Sequence, residues 1–200
     1  MIDSASIFES VRRGYTDLQG ASPSEIQDYF ASMDPETLTG HISNVKGIVF
    51  ETEVVNALND QGVDCAMFET TNHPVSDIAI FDDGDIIAEL QLKATDNFDY
   101  IAATLDSNPD VPIIATHEVA SQFVDNNMVI DSGLSNEVLT EAVTQTLSDE
   151  AASEAVREVT KEVAHDAVSD TLADAVTDVA VPFGPIGLLK LGIGLLTGLF

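Results

Sequence analysis

The sequence predicts an α/β domain, a mixed sheet flanked by helices, with helical extensions on its N-terminal and C-terminal sides. Three observations predict it. Between residues 41 and 124, stretches with helical spacing alternate with short apolar runs bounded by Gly, Pro and Asp. The passage from residue 86 to 116 has the length of a helical crossover joining two parallel strands. Apolar residues make up 44% of the 200, enough material for a core.

The elements follow in order. Residues 1–40 read as a helical extension. Ser22-Pro23-Ser24-Glu25 supplies an N-cap, a proline at the first helical position and a glutamate three after the cap, and Asp34-Pro35-Glu36 repeats the cap-then-proline signal. Arg12 and Arg13, adjacent bases on this extension, read as a solvated helix face. From residue 44 to 60 the spacing is helical, with Ile48, Glu51, Val55 and Leu58 on one stripe and Gln61-Gly62 as the stop. Residues 65–69, 77–81 and 86–94 read as strands. Residues 96–108 return to helical spacing through Phe98, Ile101, Ala102 and Leu105. A short apolar strand at 111–116 and a helix at 118–124 complete the α/β domain at 41–124.

Two further zones follow. Residues 125–178 are rich in Ala, Val, Thr and acids and read as acidic amphipathic helices, with a stripe of Val156, Val159, Val163, Ala167, Leu172, Val176 and Val179. They pack on the domain or on each other, or pair with another copy of the chain through 134–200. Residues 179–200 form an apolar, glycine-rich tail whose single charge is Lys190. As one helix the tail would reach ~33 Å, enough for a bilayer, but Pro182 and Pro185 break its start and leave ~22 Å. Gly194 and Gly198 have the spacing that lets helices approach closely. Membrane insertion and burial against the acidic helices or a partner protein are both open for it.

Charge excludes several functions. Thirty-five acids against 7 bases give a net charge of −28. A chain so acidic has no broad basic surface for a phosphate backbone and is not drawn to anionic lipid. Its acidic shell suits a halophilic, salt-screened setting or an acidic partner-binding face. The lone Cys65 makes no intramolecular disulfide, which fits a reducing compartment. The first residues lack the apolar core of a signal peptide, so the expected location is the cytoplasm, with membrane association only through the tail. His41, His73, His117 and His165 do not stand at zinc-ligand spacing, and no P-loop or GxSxG motif is present.

The chemistry-bearing stretch runs from Ser76 to Lys93. In a strand Glu89, Gln91 and Lys93 share one face, and Ala88, Leu90 and Leu92 the other. A three-residue loop Asp82-Asp83-Gly84 sets Asp77 opposite Glu89 and gathers Ile78, Ile80, Ile86, Ala88, Leu90 and Leu92 on the apolar face. A two-residue turn without a bulge would put Asp77 on the wrong face. Glu51 lies on the inward stripe of its helix, where a lone carboxylate is costly without a cation or donors, whereas Glu53 lies off it and reads as solvated. A helix acid and a strand acid converging beside a lysine suit a divalent-metal site.

Gly47-x-x-Phe50-Glu51 on the helix, Asp77 on the second strand and Gln91-x-Lys93 on the third resemble the PD-(D/E)xK nuclease superfamily. The order helix, three strands, helix, strand is also similar. Two departures stand out. Gln91 replaces the usual acid, as in the Q-x-K variant of the methylation-dependent restriction branch, and Pro74 precedes Asp77 by three residues. The resemblance covers 41–124. It implies a restriction-endonuclease-like fold and Mg²⁺-dependent hydrolysis of nucleic acid, with Asp77 and Glu51 as metal ligands. Gln91 would add its amide oxygen, Lys93 would position or activate water, and Glu89 would be a further ligand if its register allows. His73 and Lys46 are candidate phosphate contacts, with a surface or loop role as the simpler alternative. Residues 41–124 hold 15 acids and only Lys46 and Lys93 as bases, so nucleic acid would come with high salt or a partner protein. Two alternatives stand beside the nuclease: an inactive nuclease-fold interaction or structural module of a phage or mobile element, and a membrane-associated effector.

Overall fold

Local cap chemistry sets where the helices begin. In a computed structural model that describes residues 2–68 and 74–148, together with Leu172, Ala175 and Val176, Asp3 caps helix α1 (Ser4–Gly14) by accepting from the Ala5 and Ser6 amides. A short 3₁₀ turn follows at Thr16–Leu18. Helix α2 (Pro23–Ala31) carries the predicted capping box: Glu25 Oε2 accepts from the Ser22 amide at 2.8 Å, and the Glu25 amide donates back to the Ser22 hydroxyl. Helix α3 (Pro35–Asp60) starts at the Asp34-Pro35 signal, so its 26 residues run well upstream of the 44–60 expected. Its buried residues, among them Ile42, Val45, Val49, Phe50, Val54 and Leu58, lie on more than one face, which is why a single stripe understated it.

The sheet follows. Strands β1 (Cys65–Met67), β2 (Ile78–Asp82), β3 (Asp85–Lys93), β4 (Ile113–Ala115) and β5 (Val129–Asp131) lie in the order β1-β2-β3-β4-β5. The first three are antiparallel, and β3-β4 and β4-β5 are parallel. Helix α4 (Phe98–Ser107), capped by Asn97, makes the predicted crossover between β3 and β4. Helix α5 (His117–Ala120) is one turn long, and α6 (Asn136–Ser148) follows β5. The α/β class with a mixed sheet is therefore present.

Strand β5 departs from expectation, because 125–178 reads as helical throughout. Val129-Ile130 is too short to show a period; what makes it a strand is parallel pairing with β4, a tertiary partner. Helix α6 contributes Leu139, Ala142, Val143 and Leu147 to the same core as Ile7, Val11, Ile26, Phe30, Phe50, Ile78, Leu90, Ile114 and Ile130, and Leu172 and Val176 are buried with them. The core thus runs through stretches that composition separates at residues 40 and 124. A smaller cluster of Ile101, Ile113, Ala115, Val119, Ala120 and Val129 seats α4 and α5 on the other face of the sheet.

The β2–β3 hairpin corrects one prediction and keeps its consequence. The loop is a two-residue Asp83-Gly84 turn, with φ +49° and +89° at the two positions, not the three-residue loop Asp82-Asp83-Gly84. The register then slips between Ile80↔Ala88 and Phe81↔Ile86, which leaves Ile87 as a bulge. Turn plus bulge restores the required parity. Ile86 loses its place on the apolar face and is 53% exposed, while Ile87 packs against the core in its stead. Because Ile78 pairs with Leu90, Asp77 lies beside Gln91 rather than opposite Glu89.

Among the described residues no helix is long and apolar enough to cross a membrane. The apolar tail at 179–200, half of the acidic stretch at 125–178 and His73 lie outside the described residues.

Candidate metal and phosphate site

The site forms where β2 and β3 part company. At the start of β2 the Asp77 amide still donates to Leu90 O at 2.9 Å. One step further along β3, the Leu92 amide meets the Asp77 carboxylate instead, at 2.7 Å from Oδ2. Leu92 is buried, so this charge-assisted bond satisfies a donor that would otherwise be orphaned and fixes the carboxylate at the strand end. Lys93 reaches back across the same gap, with Nζ 3.7 Å from Asp77 Oδ2 and both side chains largely shielded from solvent.

Glu51 comes from the middle of α3. Burial pushes its carboxyl up to about 7, and the charge of Asp77 pushes the same way, against the pull of Arg13 and Lys93. A carboxylate whose ionisation is opposed both by burial and by a neighbouring negative charge gains from a cation beside it. Gln91, beside Asp77 in the register, presents a buried amide oxygen, Oε1, that has no hydrogen-bond partner. A buried acceptor without a donor is uncommon in a folded chain, and here it belongs to the residue that the register sets beside Asp77.

The structure thus brings Glu51, Asp77, Gln91 and Lys93 to one locality. Glu89 is differently engaged: its Oε2 accepts from the Ser76 hydroxyl at 2.5 Å, and the two-residue shift in register moves it away from a position facing Asp77. Lys46 is also engaged elsewhere, donating to Asn136 Oδ1 at 2.6 Å and tying α3 to the start of α6. Burial lowers its ammonium's pKa, with Asp96 and Glu118 pulling it back up. Glu53, expected to be solvated, accepts from the Ser6 hydroxyl at 2.8 Å.

Arg13 is the residue beside the site that sequence reasoning missed. Read as a solvated helix residue, it instead points from α1 to the sheet, where Nη2 donates to Phe68 O at 2.9 Å and its charge acts on Glu51. Nothing local to Arg12-Arg13 distinguishes the two residues. The only signal available was helical phase: Val11 is fully buried, and α1 is amphipathic enough that its neighbours divide between faces.

No family model, curated protein or solved structure matches this chain. The chemistry therefore rests on the residues themselves. Among the described residues no group of three His, Cys, Asp or Glu side chains is arranged to hold a metal. Two carboxylates and an unpartnered amide oxygen are what the site offers. That set fits magnesium, which keeps several waters and is commonly held by one or two carboxylates with substrate phosphate completing the shell. It does not fit zinc, which takes nitrogen and sulfur ligands.

Proposed function

We propose that the chain is a Mg²⁺-dependent nuclease on a restriction-endonuclease-like α/β scaffold. The observation that carries the proposal is the convergence of Glu51, Asp77, the unpartnered Gln91 amide oxygen and Lys93 at the parting of β2 and β3. The element order α3, β1, β2, β3, α4, β4, with β3 and β4 parallel, supports the same scaffold.

Glu51, Asp77 and Gln91 Oε1 are the groups that would hold the ion. Bound there, magnesium supplies the positive charge that offsets both carboxylates and the charge developing on a phosphodiester. Lys93 Nζ donates to the attacking water or to a phosphate oxygen beside it. In hydrolysis the water oxygen bonds to phosphorus and the bond to the leaving sugar oxygen breaks. The water gives up a proton to solvent, and the leaving oxygen takes one. Asp77 holds Lys93 in place while its own geometry is held by the Leu92 amide.

A second reading, an inactive nuclease-fold interaction module, is favoured by the net charge of −28 and by an amide standing where a third acid would strengthen metal binding. Cleavage separates the two. The full chain is incubated with plasmid DNA and with single-stranded RNA, in Mg²⁺ or EDTA, from 0.1 to 2 M KCl, beside Lys93→Ala. Mg²⁺-dependent cleavage that falls about 10²–10³-fold in the variant is expected, the loss typical of one removed electrostatic group. No cleavage at any salt, or equal cleavage by both proteins, rejects the nuclease in favour of the interaction module.

A further inference from the structure

The described part of the chain contains four Lys and Arg residues, and three are committed to partners. Arg12 donates to Glu9 at 2.6 Å and to Ala21 O at 2.9 Å, Lys46 to Asn136, and Lys93 sits against Asp77. Arg13 is different. One corner of its guanidinium is pinned by Phe68 O, its Nε is buried with no acceptor, and among the described residues no carboxylate stands within ion-pairing distance of it. A buried guanidinium nitrogen without an acceptor is costly, and it leaves Arg13 with donor capacity that an anion would satisfy.

We propose that Arg13 binds a backbone phosphate of the nucleic acid beside the Glu51–Asp77–Lys93 site, which makes helix α1 part of the substrate surface. The proposal rests on the nuclease reading. Charge supports it. Asp77 and ionised Glu51 carry two negative charges, Lys93 and Arg13 two positive, so the four together are neutral. A bound divalent ion brings them to +2, which matches the two negative charges of a phosphodiester in its five-coordinate transition state. Without Arg13 the site falls one charge short, on a molecule whose remaining surface repels phosphate. Geometry also supports it. A guanidinium offers a planar fork that pairs with two phosphate oxygens, and the bond to Phe68 holds that fork in one orientation before substrate arrives.

The test uses the full chain and fluorescein-labelled 20-nucleotide DNA and RNA strands and duplexes. Binding is read by anisotropy in Ca²⁺, with cleavage in Mg²⁺ measured separately. Arg13→Ala is expected to weaken binding about 10-fold or more and to make the slope of log K against log salt shallower by about one. Arg13→Lys keeps the charge, so it is expected to restore the slope and only part of the affinity. A residue that merely pins Phe68 would lower the melting temperature without moving the salt slope. If Arg13→Ala unfolds, Arg13→Lys carries the test, and wild-type affinity in that variant overturns the proposal. Wild-type affinity and slope in Arg13→Ala overturn it while Mg²⁺-dependent cleavage leaves the nuclease standing. Binding that needs Arg13 without any cleavage rejects the nuclease alone, no binding by the wild type rejects the role of Arg13, and neither binding nor cleavage rejects both.

Discussion

Glu51 shows how a single carboxyl links stability to function. Its folded-state pKa of about 7 lies above the ordinary 4.5, so between those values the folded chain holds a proton that the unfolded chain has released. Stability from this group is therefore full below pH 4.5 and is lost as pH rises toward and through 7. The upper bound on the effect is about 3 kcal/mol, at ~1.4 kcal/mol per pKa unit, reduced by the solvent that still reaches the group. Glu51→Gln, neutral at every pH, is expected to melt at a higher temperature than the wild type at pH 8 and at the same temperature at pH 4.5. Thermal melting across that range checks it; a variant less stable at pH 8 would mean that the carboxylate is fully paired there. The residue whose charge destabilises the fold at neutral pH is the one the metal would need, a trade commonly found at functional sites.

At the scale of elements, the hairpin decides whether there is a site. The Asp83-Gly84 turn requires two residues with positive φ, the geometry of the tightest hairpins, and the Ile87 bulge then rotates the rest of β3 by one residue. Without the bulge Leu90 and Leu92 would face outward, and Gln91 and Lys93 would enter the core. A Cβ on Gly84 meets nothing within 4 Å, so a substitution there is felt through backbone strain alone. Gly84→Val is expected to cost about 1–2 kcal/mol in urea denaturation, the price of a left-handed conformation for an L-residue. Cleavage is expected to survive, because the turn and the site lie at opposite ends of the hairpin; a stability unchanged within error would show that the turn relaxes to another form. Gly14 matters for the opposite reason. A Cβ there would run into Ile48 Cδ1, so a larger residue at the end of α1, next to Arg13, requires the Ile48 side chain to turn aside.

At the scale of the whole molecule, charge governs behaviour. A net charge of −28 on 200 residues works against compactness, and salt weakens that repulsion as the screening length falls from about 10 Å at 0.1 M to about 3 Å at 1 M. The melting temperature is expected to rise with KCl; a recovery of about 2 kcal/mol corresponds to roughly 4–8 °C for a chain of this size. A flat profile would set aside the high-salt setting and leave a basic partner as the means of bringing phosphate to the site. In either case few cations are available to meet a phosphate, which is why the position of Arg13 carries weight beyond one side chain.

Much of this was legible in the sequence. Helix starts were, because Ser22-Pro23 and Asp34-Pro35 cap locally, and so was the crossover at α4, because helical spacing and chain length are local quantities. The parity of Asp77, Glu89, Gln91 and Lys93 was legible through the apolar residues that alternate with them, since a slip of one residue would expose Leu90 and Leu92. The exact partners were not. Where the extra residue of the hairpin sits, that Asp77 meets the Leu92 amide, that Glu89 is taken by Ser76 and that β5 joins the sheet all depend on pairing between distant segments. Arg13 is the clearest case, because 55 residues separate it from the carbonyl that holds it. Sequence by itself determined the elements and the kinds of side chain available, through caps, spacing and charge. Only the tertiary structure decided which of them meet, because burial and pairing are set by neighbours in space.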